Sequence, residues 1–182
     1  ERIGAMGVRR NAVLGLITLA AFIGCGLMAN AQENQVDYDG FLGLSAEIAD
    51  YRESRLVDLD TFNRMKAEPG TIVLDTRSAE AFQMGHIAGA VHLNFSDFTD
   101  EKLARVIPSK ATRILIYCNN NFTDNVAPVP VKRIELALNV PTFINLYGYG
   151  YENIQELNGA YSLADPDINW VGEVPSRQAF QP

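Results

Sequence analysis

The residues most able to do chemistry stand together. Ile116-Tyr117 leads into Cys118, and Asn119-Asn120-Asn121-Phe122-Thr123-Asp124-Asn125 follow. A thiolate is a strong nucleophile, and its pKa falls beside backbone amides or a helix N-terminus. A loop curled around the sulfur would aim several N–H groups at it and make an anion nest. Cys118 is therefore the candidate catalytic residue, read as an exposed sulfur wrapped by peptide amides. Asn119, Asn120, Asn121, Phe122 and Thr123 are candidates to bind what it reacts with. Asparagine takes left-handed backbone angles more readily than most residues, so these asparagines can replace loop glycines. The bland alternative for Cys118 is a buried structural thiol at a strand end.

Other polar groups have weaker claims. Asp75 and Arg77 suit an Asp–backbone or Asp–Arg contact near the site, with Arg77 reaching an anion. Tyr147 and Tyr149 flank glycines at a strand end and are read as walls of the pocket; Phe143 is core. His86 and His92 stand six apart with no nearby cysteine, which is no metal-ligand pattern. They are read as scaffold, and no metal is expected.

Positioning these residues requires alternating strands and helices. Leu56-Val57-Asp58 reads as an edge strand, and Asp60 as the cap of a helix over Thr61–Lys66 ended by Pro69-Gly70. Thr71–Asp75 is an unbroken apolar run, as in a strand buried on both faces. Ser78 caps a helix holding Glu80 and Phe82 and ending near Gly85. Ala90–Phe95 reads as a strand, and Ser96 with Asp97 opens a helix through Leu103 to Val106. Arg113–Tyr117 is the most hydrophobic strand. Pro128 and Pro130 enlarge the loop after Cys118, so the next helix is placed over Val131–Leu138. Thr142–Leu146 then reads as a strand, and Tyr151–Leu157 as a last helix. This alternation predicts an α/β fold with a central parallel sheet and helices on both faces. In such sheets ligands bind at the carboxyl ends of the strands, where Cys118 stands.

The chain of 182 residues suits one domain with a real core. Its net charge of -7 speaks against a nucleic-acid surface. Arg9-Arg10, an apolar run and Ala29-Asn30-Ala31 have the layout of a secretory signal over residues 1–31. The expectation is an exported protein, periplasmic or secreted, with a membrane-anchored or lipoprotein form through Cys25 as the alternative. Removal of that signal leaves Cys118 as the sole cysteine, unable to form an internal disulfide. Residues 32–54 form an acidic extension with a helix from Ser45 to Arg55. The domain spans 55–160, and 161–182 reads as a tail lying over the surface.

Two segments carry a resemblance. Leu74–Leu93, LDTRSAEAFQMGHIAGAVHL, is similar to the rhodanese signature: a strand ending Asp-x-Arg, a short helix, then Gly-His-Ile-x-Gly-Ala. Ile114–Cys118, ILIYC, resembles the central strand that delivers the family's active cysteine. Asn145–Gly150 is matched to the family's Leu-x-Gly-Gly segment before its last helix. The resemblance implies a rhodanese-like fold and sulfur transfer. Cys118 would accept a sulfane sulfur as a persulfide and pass it on, with no metal or organic cofactor. The implied partners are a small sulfur donor or a protein thiol acceptor.

The loop departs from that pattern. It lacks the basic residue that helps hold an anionic donor such as thiosulfate; Lys132 and Arg133 are the nearest cations. Rhodanese-fold phosphatases need an arginine six positions after the cysteine, and Asp124 stands there and would repel phosphate, which speaks against phosphatase chemistry. A sulfurtransferase or sulfane-sulfur carrier is the leading expectation. The alternatives are a catalytically silent binding module and a redox-sensitive thiol.

Overall fold

Strand burial explains the layering. The computed structural model describes residues 35–172 and 174. The signal read at residues 1–31 lies outside them. The strands are β1 (Leu56–Val57), β2 (Ile72–Asp75), β3 (Gly85–Ile87), β4 (Val91–His92), β5 (Ile114–Tyr117), β6 (Ile154–Leu157) and β7 (Trp170–Gly172). The helices are α1 (Tyr38–Glu47), α2 (Ala49–Glu53), α3 (Leu59–Lys66), α4 (Ala79–Met84), α5 (Asp100–Val106) and α6 (Asn139–Gly148). Five strands form one parallel sheet in the order β1-β6-β5-β2-β4. All four residues of β5, the central strand, are buried.

Side chains alternate along those strands and feed two cores. Leu74, Ile114, Ile116 and Ile154 pack with Leu103 of α5 and with Phe143 and Leu146 of α6. Val73, Leu115, Tyr117 and Leu157 pack on the opposite face with Leu59 and Phe62 of α3. Full burial of each large apolar side chain contributes about 1.5–3 kcal/mol. The fold is α/β with helices on both faces of the parallel sheet, as the alternation predicts. No helix among the described residues is long and apolar enough to cross a membrane.

Short-range signals set several ends. Ser78 caps α4 by accepting from Ala81 N–H. Gly85 ends it where Trp170 lies so close that an added Cβ would stand 2.5 Å from the indole. Two caps shift from their expected positions. Asp58, not Asp60, accepts from Thr61 N–H at 2.8 Å, and Thr99 opens α5 after a 3-10 turn at Phe95–Asp97. The extension carries α1 and α2 in place of one helix from Ser45.

The larger corrections lie after Cys118. Residues 131–138 are not an α-helix; they run irregularly through a 3-10 turn at Ile134–Leu136. Asparagine side chains take the backbone groups a helix would use. Asn125 Oδ1 accepts from Val131 N–H, and Asn120 pairs with both N–H and carbonyl of Lys132. Thr142–Leu146 is helical, because Asn139, Thr142, Phe143 and Leu146 bury one face at helical spacing. Pro141 sits in the first turn of α6, where a missing N–H costs nothing. Residues 154–157 are a strand, not the last helix. Gly148–Gly150 therefore ends α6, and the chain turns at Gly159 just past β6.

The expected surface tail is tied into the fold as far as it is described. Tyr161 bridges Phe122, Leu163 and Ile168 are buried, and β7 pairs antiparallel with β3.

Candidate functional site

The carboxyl end of β5 presents two neighbouring clusters. The first is charged. Arg77 Nε and Nη2 donate to both carboxylate oxygens of Asp75, with the shortest contact 2.6 Å. Tyr117 donates its hydroxyl proton to Asp75 Oδ2 at 2.5 Å and accepts from Ile87 N–H. Arg77 also donates to the carbonyls of Gly85 and Pro128. Asp75, Arg77 and Tyr117 are all buried. Burial, with the Asp75 charge adding to it, pushes the Tyr117 hydroxyl well above its ordinary pKa. His92 contacts the Arg77 carbonyl, and His86 donates to the Phe82 carbonyl while stacking on that ring. Both histidines are scaffold, as their spacing suggests. No group of metal-ligating side chains occurs among the described residues.

The second cluster is neutral and surrounds Cys118. Asn119–Asn121 form a single 3-10 turn, so none of the three adopts left-handed angles; Asn125, at φ 51°, does so instead. Asn121 anchors the turn. Its Oδ1 accepts from Cys118 N–H at 2.9 Å, and its Nδ2 donates to the carbonyls of Leu157, at the end of β6, and of Gly159 just past it. The turn also closes against the chain beyond β6 through Asp124, whose carboxylate accepts from Leu163 N–H at 2.8 Å.

The sulfur is not exposed. Cys118 is 1% accessible, and its thiol donates to Asn139 Oδ1 while accepting from Asn120 N–H at 3.4 Å. Asn139 Nδ2 donates in turn to Asn121 Oδ1, and Asn139 also supports the Glu156 carboxylate. Burial pushes the Cys118 thiol above its ordinary pKa, and Glu156 adds to that; N–H groups of Asn120, Asn139 and Leu138 pull the other way. The expected wrap of amides is present in part, and desolvation outweighs it.

A cavity of about 240 Å³ nevertheless reaches Cys118. Arg77, Asn119, Pro128, Lys132 and Leu138 line it with the cysteine. Of the site residues expected from sequence, Cys118, Asn119 and Arg77 meet here. Asn120, Asn121 and Phe122 face a separate groove of about 450 Å³ that also includes Asn139 and Glu156. Phe122 is core, edge-on to Tyr117 and Trp170. Thr123 is exposed and uses its backbone N–H to pair with Tyr161. Neither Tyr147 nor Tyr149 is a wall of this cavity: Tyr147 projects from α6 toward Tyr51 and Glu47, and Tyr149 donates its hydroxyl to the Phe98 carbonyl. Sequence reasoning missed Asn139. Its signal was the helical spacing of 139, 142, 143 and 146.

A family model for the Rhodanese-like domain matches residues 58–163. The chain belongs to the rhodanese-like family. The matched span runs from the cap of α3 past β6 and includes Cys118, so the thiol stands inside the rhodanese-like domain itself. Among curated proteins, the chain is 40% identical over 126 residues to a tRNA uridine(34) hydroxylase of Bradyrhizobium diazoefficiens. That alignment covers 68% of this chain and 41% of the relative, so the chain spans less than half of that protein. Among solved structures it is similar to a rhodanese-like domain from Anabaena, at 21% identity and a TM-score of 0.45, covering 70% of this chain and 86% of that one. A Bacillus halodurans protein matches at 21% identity and a TM-score of 0.42, covering 65% of this chain and 77% of that one.

Proposed function

We propose that this rhodanese-like protein is a sulfurtransferase or sulfane-sulfur carrier that forms a persulfide on Cys118. The observation that carries the reading is the cavity, which Cys118, Lys132 and Arg77 line together. Lys132 supplies, from fourteen residues downstream, the cation that the loop itself lacks. With an anionic donor R–S–S⁻, Cys118 gives up its thiol proton and Sγ bonds to the outer sulfur. The donor's S–S bond breaks, its electron pair goes to R–S⁻, and the proton ends on that leaving thiolate. The products are Cys118–S–S⁻ and R–SH. Attack by an acceptor thiolate on the outer sulfur reverses the bond changes and restores Cys118.

The thiol rests in its neutral form, held by Asn139. Reaction needs the anion to gain on the thiol. The N–H groups of Asn120, Leu138 and Asn139 favour the anion, and a donor that excludes water strengthens them. The named activity of the Bradyrhizobium relative belongs to a longer protein, only 41% of which this chain covers. The small cavity and net charge of -7 favour a small donor over a polynucleotide here. The apolar leader supports an exported protein, which N-terminal sequencing of the cellular product tests.

Intact-mass measurement after treatment with inorganic polysulfide tests the transfer. One added sulfur is expected in the native protein and none in Cys118→Ser. Burial of Cys118 favours a second reading, a silent binding module. An unmodified mass with every donor, together with slow alkylation of the folded thiol, selects it over transfer. Peroxide-driven oxidation without sulfur loading would instead mark a redox thiol.

A further inference from the structure

The same cavity holds a polar atom that the fold leaves unsatisfied. Asn119 is 9% exposed, and its Nδ2 donates to the Pro130 carbonyl at 3.0 Å. A carbonyl only accepts, so this contact fixes which way the amide faces. Asn119 Oδ1 is then an acceptor with no partner among the described residues. Buried acceptors are rarely left this way, and the lining position of Asn119 makes a bound molecule the natural source of the donor. Charge gives a second constraint. Arg77 is neutralised by Asp75, whereas Lys132 is exposed and joins no ion pair among the described residues. The cavity thus offers one available cation, one orphan acceptor, an apolar wall at Pro128 and Leu138, and a sulfur. Its volume, about 240 Å³, lies below the roughly 300–1,000 Å³ of drug-sized sites.

Resting on the sulfur-transfer reading above, we propose that the donor is a small α-amino-acid persulfide of the cysteine class. Its carboxylate meets Lys132, its ammonium N–H meets Asn119 Oδ1, and its outer sulfur faces Cys118. The transfer is the one already written, with cysteine as the leaving thiolate. Thiosulfate satisfies Lys132 but has no hydrogen to give Asn119.

The test compares cysteine persulfide with 3-mercaptopropionate persulfide, which keeps the carboxylate and chain but lacks the nitrogen. Loading rates are read by intact mass on the native protein, Asn119→Leu and Lys132→Met. A site built around a hydrogen bond rejects the analogue lacking it, so the native protein should prefer cysteine persulfide by about tenfold. The preference should collapse toward unity in Asn119→Leu. In Lys132→Met both persulfides should slow alike and the preference should persist. Equal rates in the native protein would overturn the proposal while leaving sulfur transfer intact. So would a preference that survives loss of the Asn119 amide. The native ratio decides the matter by itself should Asn119→Leu fail to fold. Failure of both persulfides and of inorganic polysulfide to load Cys118 would overturn the sulfur-transfer reading as well.

Discussion

Two clusters share the carboxyl end of β5, and they handle burial in opposite ways. Around Asp75, full charges are locked together. The carboxylate meets the Arg77 guanidinium, the Tyr117 hydroxyl and a backbone N–H, and no face of it is left to a ligand. Around Cys118 no formal charge touches the sulfur; asparagine amides surround it and bond to one another and to the backbone. The first arrangement is rigid and complete. The second leaves one amide oxygen unpaired and a cavity beside the thiol. One cluster holds the strand ends, and the other keeps hydrogen-bonding capacity in reserve.

That contrast is broken most severely at Asp75. Asp75→Ala strands the Arg77 cation in a dry site, and loss of one partner of a buried pair costs about 3–5 kcal/mol. Denaturant unfolding should show this drop, with Arg77→Met milder because the Asp75 carboxylate keeps the Tyr117 hydroxyl and a backbone N–H and can take up a proton. A loss below about 1 kcal/mol in Asp75→Ala would mean that water reaches the pair.

Asn121 tests the neutral side. Asn121→Ala removes a donor to two carbonyls and an acceptor for Cys118 N–H, for a loss of about 1–3 kcal/mol. Thermal unfolding checks it, and a neutral outcome would assign the turn's geometry to the Tyr161 pairing alone.

Cys118 also links stability to pH. Its folded pKa is raised by burial, so the unfolded chain loses the thiol proton first as pH rises. The stabilising contribution is whole below the ordinary cysteine value, about 8.5, and is lost as pH climbs through the folded value. The loss should steepen the alkaline decline by up to about 1.4 kcal/mol per pH unit, and Cys118→Ala should remove that portion. Tyr117 behaves the same way at higher pH, so the difference between the two proteins is the quantity to read.

The sharpest effect on the thiol's reactivity belongs to Asn139. Asn139 Oδ1 accepts the thiol proton and so favours the neutral sulfur. Asn139→Ala should shift the pH profile of iodoacetamide alkylation to lower pH, and Asn139→Asp should shift it to higher pH. Shifts in the same direction for both would show that packing, not this hydrogen bond, controls the thiol.

Legibility of the sequence followed the range of the interactions. The strands at Ile72–Asp75 and Ile114–Tyr117 were plain because both faces are buried and the residues form unbroken apolar runs. Ser78 was plain because a cap acts over three residues. The span from Val131 to Leu157 was misread because its cues conflict. Val131–Leu138 looks helical by composition, yet Asn120 and Asn125, far back in sequence, occupy its backbone groups. That one error displaced the next strand and helix and hid Asn139. Cys118 and Arg77 line one cavity because both follow the carboxyl ends of neighbouring strands. Burial of Cys118, only the alternative reading in the sequence, arises because Leu138 and Asn139 reach the sulfur after the chain has doubled back.

Sulfur transfer requires that Cys118 both take and give up a sulfane sulfur. Cyanide treatment of the polysulfide-loaded, desalted protein tests it most directly, since cyanide removes the outer sulfur of a persulfide as thiocyanate. One thiocyanate per native chain is expected, with return of the unmodified mass, and none from Cys118→Ser. Thiocyanate in equal amounts from both proteins, or none from either, would contradict it.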